Sequence, residues 1–329
     1  AHLFLQKDIE MNTGSTQLFG TLSLKKLPLS ETIEACSTLL SERSICANDI
    51  VNILSCDPIA VASILHRANN AFYGQQENIS SLSHAVEAVG PYSVARMMAE
   101  STAAETDASI IAFTRHACAT AHIAHRLVNG SWPKSGKAAS KIGSVYTSGL
   151  LHSIGRLAIC HSKPRESAIL YGFSDSSFPL VGNLTDLEHL QFGTDHFEVG
   201  EFIALKLRFP QLLVDVIRSY GLTDQLNPEA SSFRLIESIS VATMISESLG
   251  YGCSSQGSFI EMDNQTTRTR FESAHPGRIE QVRTEFSETI MKDNQQTPSS
   301  HPRSIAQDRS AMNPAASSPP SAMAPIKSH

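Results

Sequence analysis

The feature that most constrains the fold is a helical periodicity running from about residue 24 to 250, cut into lengths by proline and glycine. In "DPIAVASILHRANNAFYG", Asp57 suits an N-cap and Pro58 the first helical position. Ile59, Ala62, Leu65 and Ala68 then recur at helical spacing until Gly74. Gly90 closes "SSLSHAVEAVG" and Pro91 opens "PYSVARMMAESTAAE"; Asn129-Gly130 stops the long run "SIIAFTRHACATAHIAHRLVNG". Asp195 and Glu198 read as a capping box, Pro210 begins another helix, and a last long one spans about Pro228 to Leu249. No convincing alternating strand pair interrupts the series. Apolar stripes of this period bury themselves helix against helix, which predicts an all-α, multi-helix bundle.

The pattern changes after Gly252, where Trp and Tyr stop and "NPAASSPPSAMAPIKSH" ends the chain. Such a segment buries too little apolar area to offset its ordering entropy. The reading is therefore a lead-in over 1–20, a helical domain over 21–253 and a mostly disordered Pro/Ser-rich tail over 254–329. Within that tail, 277–293 can form a marginal helix with Ile279, Val282, Phe286 and Ile290 on one side.

A net charge of −6 gives no global basic field, so nucleic acid is not an expected partner. The six cysteines are scattered with no C-x-x-C pair, as expected of reduced thiols in a cytoplasmic protein. No apolar run approaches the roughly 18–20 residues that cross a bilayer, and no membrane association is expected. The opening stretch has no basic region followed by an apolar one and is not read as a signal peptide. "SWPKSGKAAS" looks like a phosphate-binding loop but fails at Ser131 and Ala138, leaving a basic surface loop.

Several motifs then fall in one order. "LPLSETI", "DPIAVASILHRANNAFYG" and "ISSLSHAVEAVG" are followed by "GLLHSIGRLAI", "LEHLQFGTDHFEVG" and the helix begun by Pro210. Together they resemble the HDOD domain family, relatives of the metal-dependent HD-domain phosphohydrolases, over about 24–250. Ser30 stands where a second Pro is common, and Asn70 where the family has Ser.

The resemblance implies a pocket. The catalytic relatives hold divalent metal with His, a His-Asp pair and a later Asp, because anionic ligands balance the cations and help lower the pKa of a bound water. Here His116 and His152 match the histidines, but Ser153 replaces the aspartate beside His152, and Thr243 stands where the last carboxylate would be. His196 matches a further histidine of HD-type relatives, and Ser219-Tyr220 replace a later histidine pair. A neutral hydroxyl is a poor ligand for a hard dication. The expectation is a vestigial pocket of His116, His152, Ser153, His196 and Thr243, with no catalytic residue, cofactor or metal. A weak three-histidine metal site at His116, His152 and His196 is the alternative.

Arg67, Asn69, Asn70 and Tyr73 form a possible ligand or partner surface, or simply the C-terminal cap of their helix. Glu188 near a helix start is read as favouring the dipole, and Asp195 as a cap. The resemblance implies a bacterial regulatory module that contacts protein partners or senses a small ligand, with a nucleotide as the candidate. The alternative is a divergent phosphohydrolase acting on a nucleotide or cyclic dinucleotide, with carboxylates such as Glu188 or Asp195 recruited from elsewhere.

Overall fold

The computed structural model describes residues 28–42, 44–71, 79–103, 105–132, 141–174, 183–252 and 265–296. Every regular element among them is helical, as the periodicity predicts. None of these helices is long and apolar enough to cross a membrane. Cys36, Cys56, Cys118 and Cys160 are buried free thiols, and Cys46 is an exposed one.

The N-terminal helices are α1 (Ser30–Leu39), α2 (Ala47–Leu54), α3 (Pro58–Ala71), α4 (Leu82–Val89) and α5 (Pro91–Ala99), and they pack mainly on one another. Asp57 holds this group together. Its Oδ1 accepts from the Ala60 amide at 2.9 Å to cap α3, and its Oδ2 accepts from the Leu29 amide, also at 2.9 Å, at the start of α1. Gly90, at φ 87°, ends α4 and places Pro91 at the first position of α5.

The second group centres on α6 (Ala108–Ser131), 24 residues capped by Asp107. It continues through α7 (Ile142–Leu151), α8 (Ile154–Ser162), α9 (Pro164–Leu170), α10 (Leu184–Phe192), α11 (His196–Lys206), α12 (Gln211–Ser219) and α13 (Phe233–Ser246). Two crossings are too close for side chains. A Cβ on Gly149 of α7 would lie 2.6 Å from the Ala121 Cα on α6. One on Gly155 of α8 would lie 1.9 Å from the His196 carbonyl oxygen on α11. The groups join where the Leu82 amide donates to Thr147 Oγ1 at 2.9 Å, the Tyr146 hydroxyl to the Ser55 carbonyl at 2.7 Å, and His66 Nδ1 to the Leu207 carbonyl at 2.9 Å.

Two expectations differ from what is found, and the run 147–161 holds a break. It falls at Ser153 (φ −99°, ψ 20°), whose carbonyl starts the next helix by accepting from the Arg156 and Leu157 amides. The last long helix begins at Phe233 rather than near Pro228, because Asn227 Oδ1 accepts from the Glu229 amide and holds that stretch in a turn. Packed structure also extends beyond residue 253. Helices α14 (Gln265–Ala274) and α15 (Arg278–Gln296) follow, and Phe271, Ile279, Val282 and Phe286 join the core. The marginal helix forms because its apolar side meets a partner, which propensity alone does not reveal. The Ile290 side chain, the loop lysines Lys134 and Lys137, and the lead-in lie outside the described residues.

Candidate functional site

The break at Ser153 shapes the pocket. It ends α7 at Leu151, so His152 Nδ1 reaches back and donates to the Gly149 carbonyl at 2.6 Å. On α6, His116 Nδ1 donates to the Tyr251 carbonyl at 2.9 Å, with the Ser246 hydroxyl 3.3 Å away. Carbonyl oxygens only accept, so both rings carry a proton on Nδ1 and turn Nε2 inward. These two nitrogens face each other at 3.2 Å. A proton on one of them, or a cation between them, makes the contact favourable. Burial opposes the proton: it pushes the His152 imidazole down to about 3 despite the Gly149 hydrogen bond, and Arg156 and His196 push the same way.

His196 is engaged elsewhere. Its amide and Nδ1 both donate to Glu188 Oε2, at 2.9 and 2.6 Å. Its Nε2 lies 3.2 Å from Arg156 Nη2, and since guanidinium only donates, the imidazole nitrogen accepts. Glu188 Oε1 accepts from the Tyr171 hydroxyl at 2.7 Å. All four side chains are buried. Burial alone would raise the Glu188 carboxyl; His196, Arg156 and Tyr171 outweigh it and hold the group below the usual carboxylate range. Burial, reinforced by Glu188, pushes the Tyr171 phenol well above its ordinary value.

The three matched histidines therefore form a pair and a separate member of an ionic chain. Tyr220 packs against both, its ring edge-on to His152 at 4.8 Å and 6.3 Å from His196. Ser153 is buried and its hydroxyl oxygen has no hydrogen-bond partner. Thr243 Oγ1 donates to the Ile239 carbonyl of its own helix at 3.0 Å; Ser246, three residues on, is the α13 side chain that reaches His116.

Glu188 is not the helix-dipole residue read from the sequence: it sits fully buried against His196. Asp195 does cap α11, Oδ1 accepting from the Phe197 and Glu198 amides. His189, Asp195 and Glu198 bring potential ligand atoms within 4.8 Å of one another at this turn. Asn69 closes the segment after α3, donating to the Leu65 and Ile79 carbonyls and accepting from the Ile79 amide. Asn70 lies against His66, Arg67 is exposed, and Tyr73 is outside the described residues.

Sequence reasoning missed Arg156, Tyr171, Ser246 and Tyr251. A usable signal existed for Arg156: a lone cation four residues after His152 in an apolar run is either exposed or paired inside.

The donor set does not fit a dinuclear metal centre. Two imidazole nitrogens face each other and Ser153 is neutral. The third imidazole is taken by Arg156, and the carboxylate next to it by His196 and Tyr171.

Known structures share the fold. The MmoQ response regulator from Methylococcus capsulatus str. Bath aligns with a TM-score of 0.61 at 20% identity, over 80% of this chain and 98% of that one. A virulence factor from Campylobacter jejuni subsp. jejuni aligns with a TM-score of 0.55 at 16% identity, over 83% of this chain and 97% of that one. A search of curated protein sequences returns no match. A family model described as the HDOD domain matches residues 27–221.

Proposed function

This chain belongs to the HDOD domain family, and from that premise we propose that it is a non-catalytic signalling module, working by contacts with protein partners or by sensing a small ligand. The observation that carries this reading is the Arg156–His196 contact at 3.2 Å. A buried guanidinium already supplies positive charge beside the third imidazole, and Glu188 balances it from within the chain. Glu188, the carboxylate of this chain of contacts, is engaged by His196 and Tyr171 and is not available to hold a hydrolytic metal and lower the pKa of its water. The response-regulator name of one structural neighbour agrees with a signalling role. In such a module a partner or ligand binds one helical arrangement better than another and shifts the population toward it.

Metal analysis of the purified full chain after dialysis against Mn²⁺ and Zn²⁺, followed by assay on a generic phosphodiester, tests the proposal. The expected result is substoichiometric metal and no turnover above a Ser153→Ala control. Stoichiometric metal with turnover overturns it. One observation favours a second reading, a phosphohydrolase: the facing Nε2 atoms of His116 and His152, 3.2 Å apart, suit a shared cation. That reading predicts metal bound in proportion to protein and lost in His116→Gln.

A further inference from the structure

The family match ends at residue 221, while helices α14 and α15 lie at 265–274 and 278–296. The added helices reach the histidine pair in two steps. Phe286 of α15 is buried with its ring 6.1 Å from the Tyr251 ring, edge-on. Tyr251 in turn offers its carbonyl to His116 Nδ1 at 2.9 Å. Gly250, at φ 86°, makes this possible by kinking the π-helical turn Glu247–Tyr251 that follows α13, in a conformation that other residues rarely adopt.

The attachment is sparse. Helix α7 buries seven of its ten residues. Among the side chains described in α14 and in α15 up to residue 289, the buried ones are Thr267, Phe271, Ile279, Val282 and Phe286. The remaining fastenings are polar. Arg126 lies over the Phe286 ring at 5.3 Å, Arg278 donates to the Arg126 carbonyl, and Arg270 pairs with Glu237 at 2.5 Å while lying over Phe233 at 4.8 Å. Few apolar anchors over many ordered residues mark an element that opens before the rest.

We propose that α14 and α15 form a latch that clasps the His116–His152 pair through Tyr251 and releases as a unit ahead of the rest of the bundle. While the latch is shut, the Tyr251 carbonyl fixes the His116 tautomer and holds its Nε2 toward His152. Release frees that carbonyl and changes the surroundings of both rings. That the latch serves signal transfer rests on the reading proposed above; the mechanical coupling does not.

The test is hydrogen exchange and ring-nitrogen NMR of the full chain, wild type against Phe286→Ala and the milder Phe286→Leu. In the wild type, α14 and α15 amides exchange faster than those of α6 by about tenfold or more. Both variants speed that exchange further, move the His116 and His152 ring signals, and leave α1 to α5 protected. Equal protection of α15 and α6, or loss of the whole fold in Phe286→Ala, shows an ordinary part of the core and overturns the latch. Faster exchange with unmoved ring signals in both variants overturns the coupling. Failure of the signalling reading is a separate outcome, seen as metal-dependent turnover with the latch behaviour intact.

Discussion

Arg156 and His196 meet inside the core, Nη2 to Nε2 at 3.2 Å, and the imidazole passes the contact on to Glu188 through Nδ1 at 2.6 Å. A positive and a negative group are thus buried with an imidazole between them. Removing one charge strands the other. Arg156→Met and Glu188→Gln should each cost about 3–5 kcal/mol, and the double variant clearly less than their sum. Urea unfolding of the four proteins gives the coupling. Additive losses would show that the two charges do not support each other.

Ser153 caps no amide with its side chain and leaves a buried hydroxyl without a partner. Ser153→Ala removes that desolvated group at little steric cost and should stabilise the chain by about 1 kcal/mol. The shift of the thermal midpoint measures it. A loss of similar size would reveal a hydrogen bond to water at that position.

Gly155 faces the His196 carbonyl, and an added Cβ would lie 1.9 Å from that oxygen and 2.8 Å from the Gly200 amide nitrogen. Both are backbone atoms that no rotamer change can move aside. Gly155→Ala should therefore cost about 4 kcal/mol or more, or abolish soluble expression. Gly193→Ala, where nothing lies within 4 Å of the new Cβ but φ is 74°, isolates backbone strain and should cost less.

His152 titrates near 3 in the folded chain, depressed from an ordinary 6.5 chiefly by burial. Between those values the unfolded chain binds a proton that the folded chain refuses, so stability rises with pH across the window. Above about 6.5 the contribution is complete; it is lost as pH falls toward 3, by about 1.4 kcal/mol per pH unit. His125 and His161, both lowered by burial, add to the same trend. Denaturant midpoints from pH 7 to 5 should fall in the wild type and fall less steeply in His152→Gln. Parallel slopes would place the proton uptake elsewhere.

The helices were legible because their signals are local. Asp57 before Pro58 and Gly90 before Pro91 state the start or end of a helix within a few residues, and both act as read. The C-terminal pair was legible only as a pattern, since Phe286 acquires its meaning from Arg126 and Tyr251, far away in the chain. The pocket was half legible. His116 and His152 come together, yet nothing near His196 announces that Arg156 would take its Nε2, because a three-dimensional crossing at Gly155 brings them together. Glu188 was misjudged for the same reason: its place near a helix start was visible, but its partners eight and seventeen residues away were not.

The guanidinium beside His196 has a consequence for how such a chain lives in a cell. A scaffold that carries its positive charge on a side chain of its own does not have to win an ion from its surroundings to complete that part of its core. Chelators, or starvation for zinc and manganese, should leave the melting curve where it was, so a readout built on this core would report the protein's binding partners rather than the state of the trace-element pool.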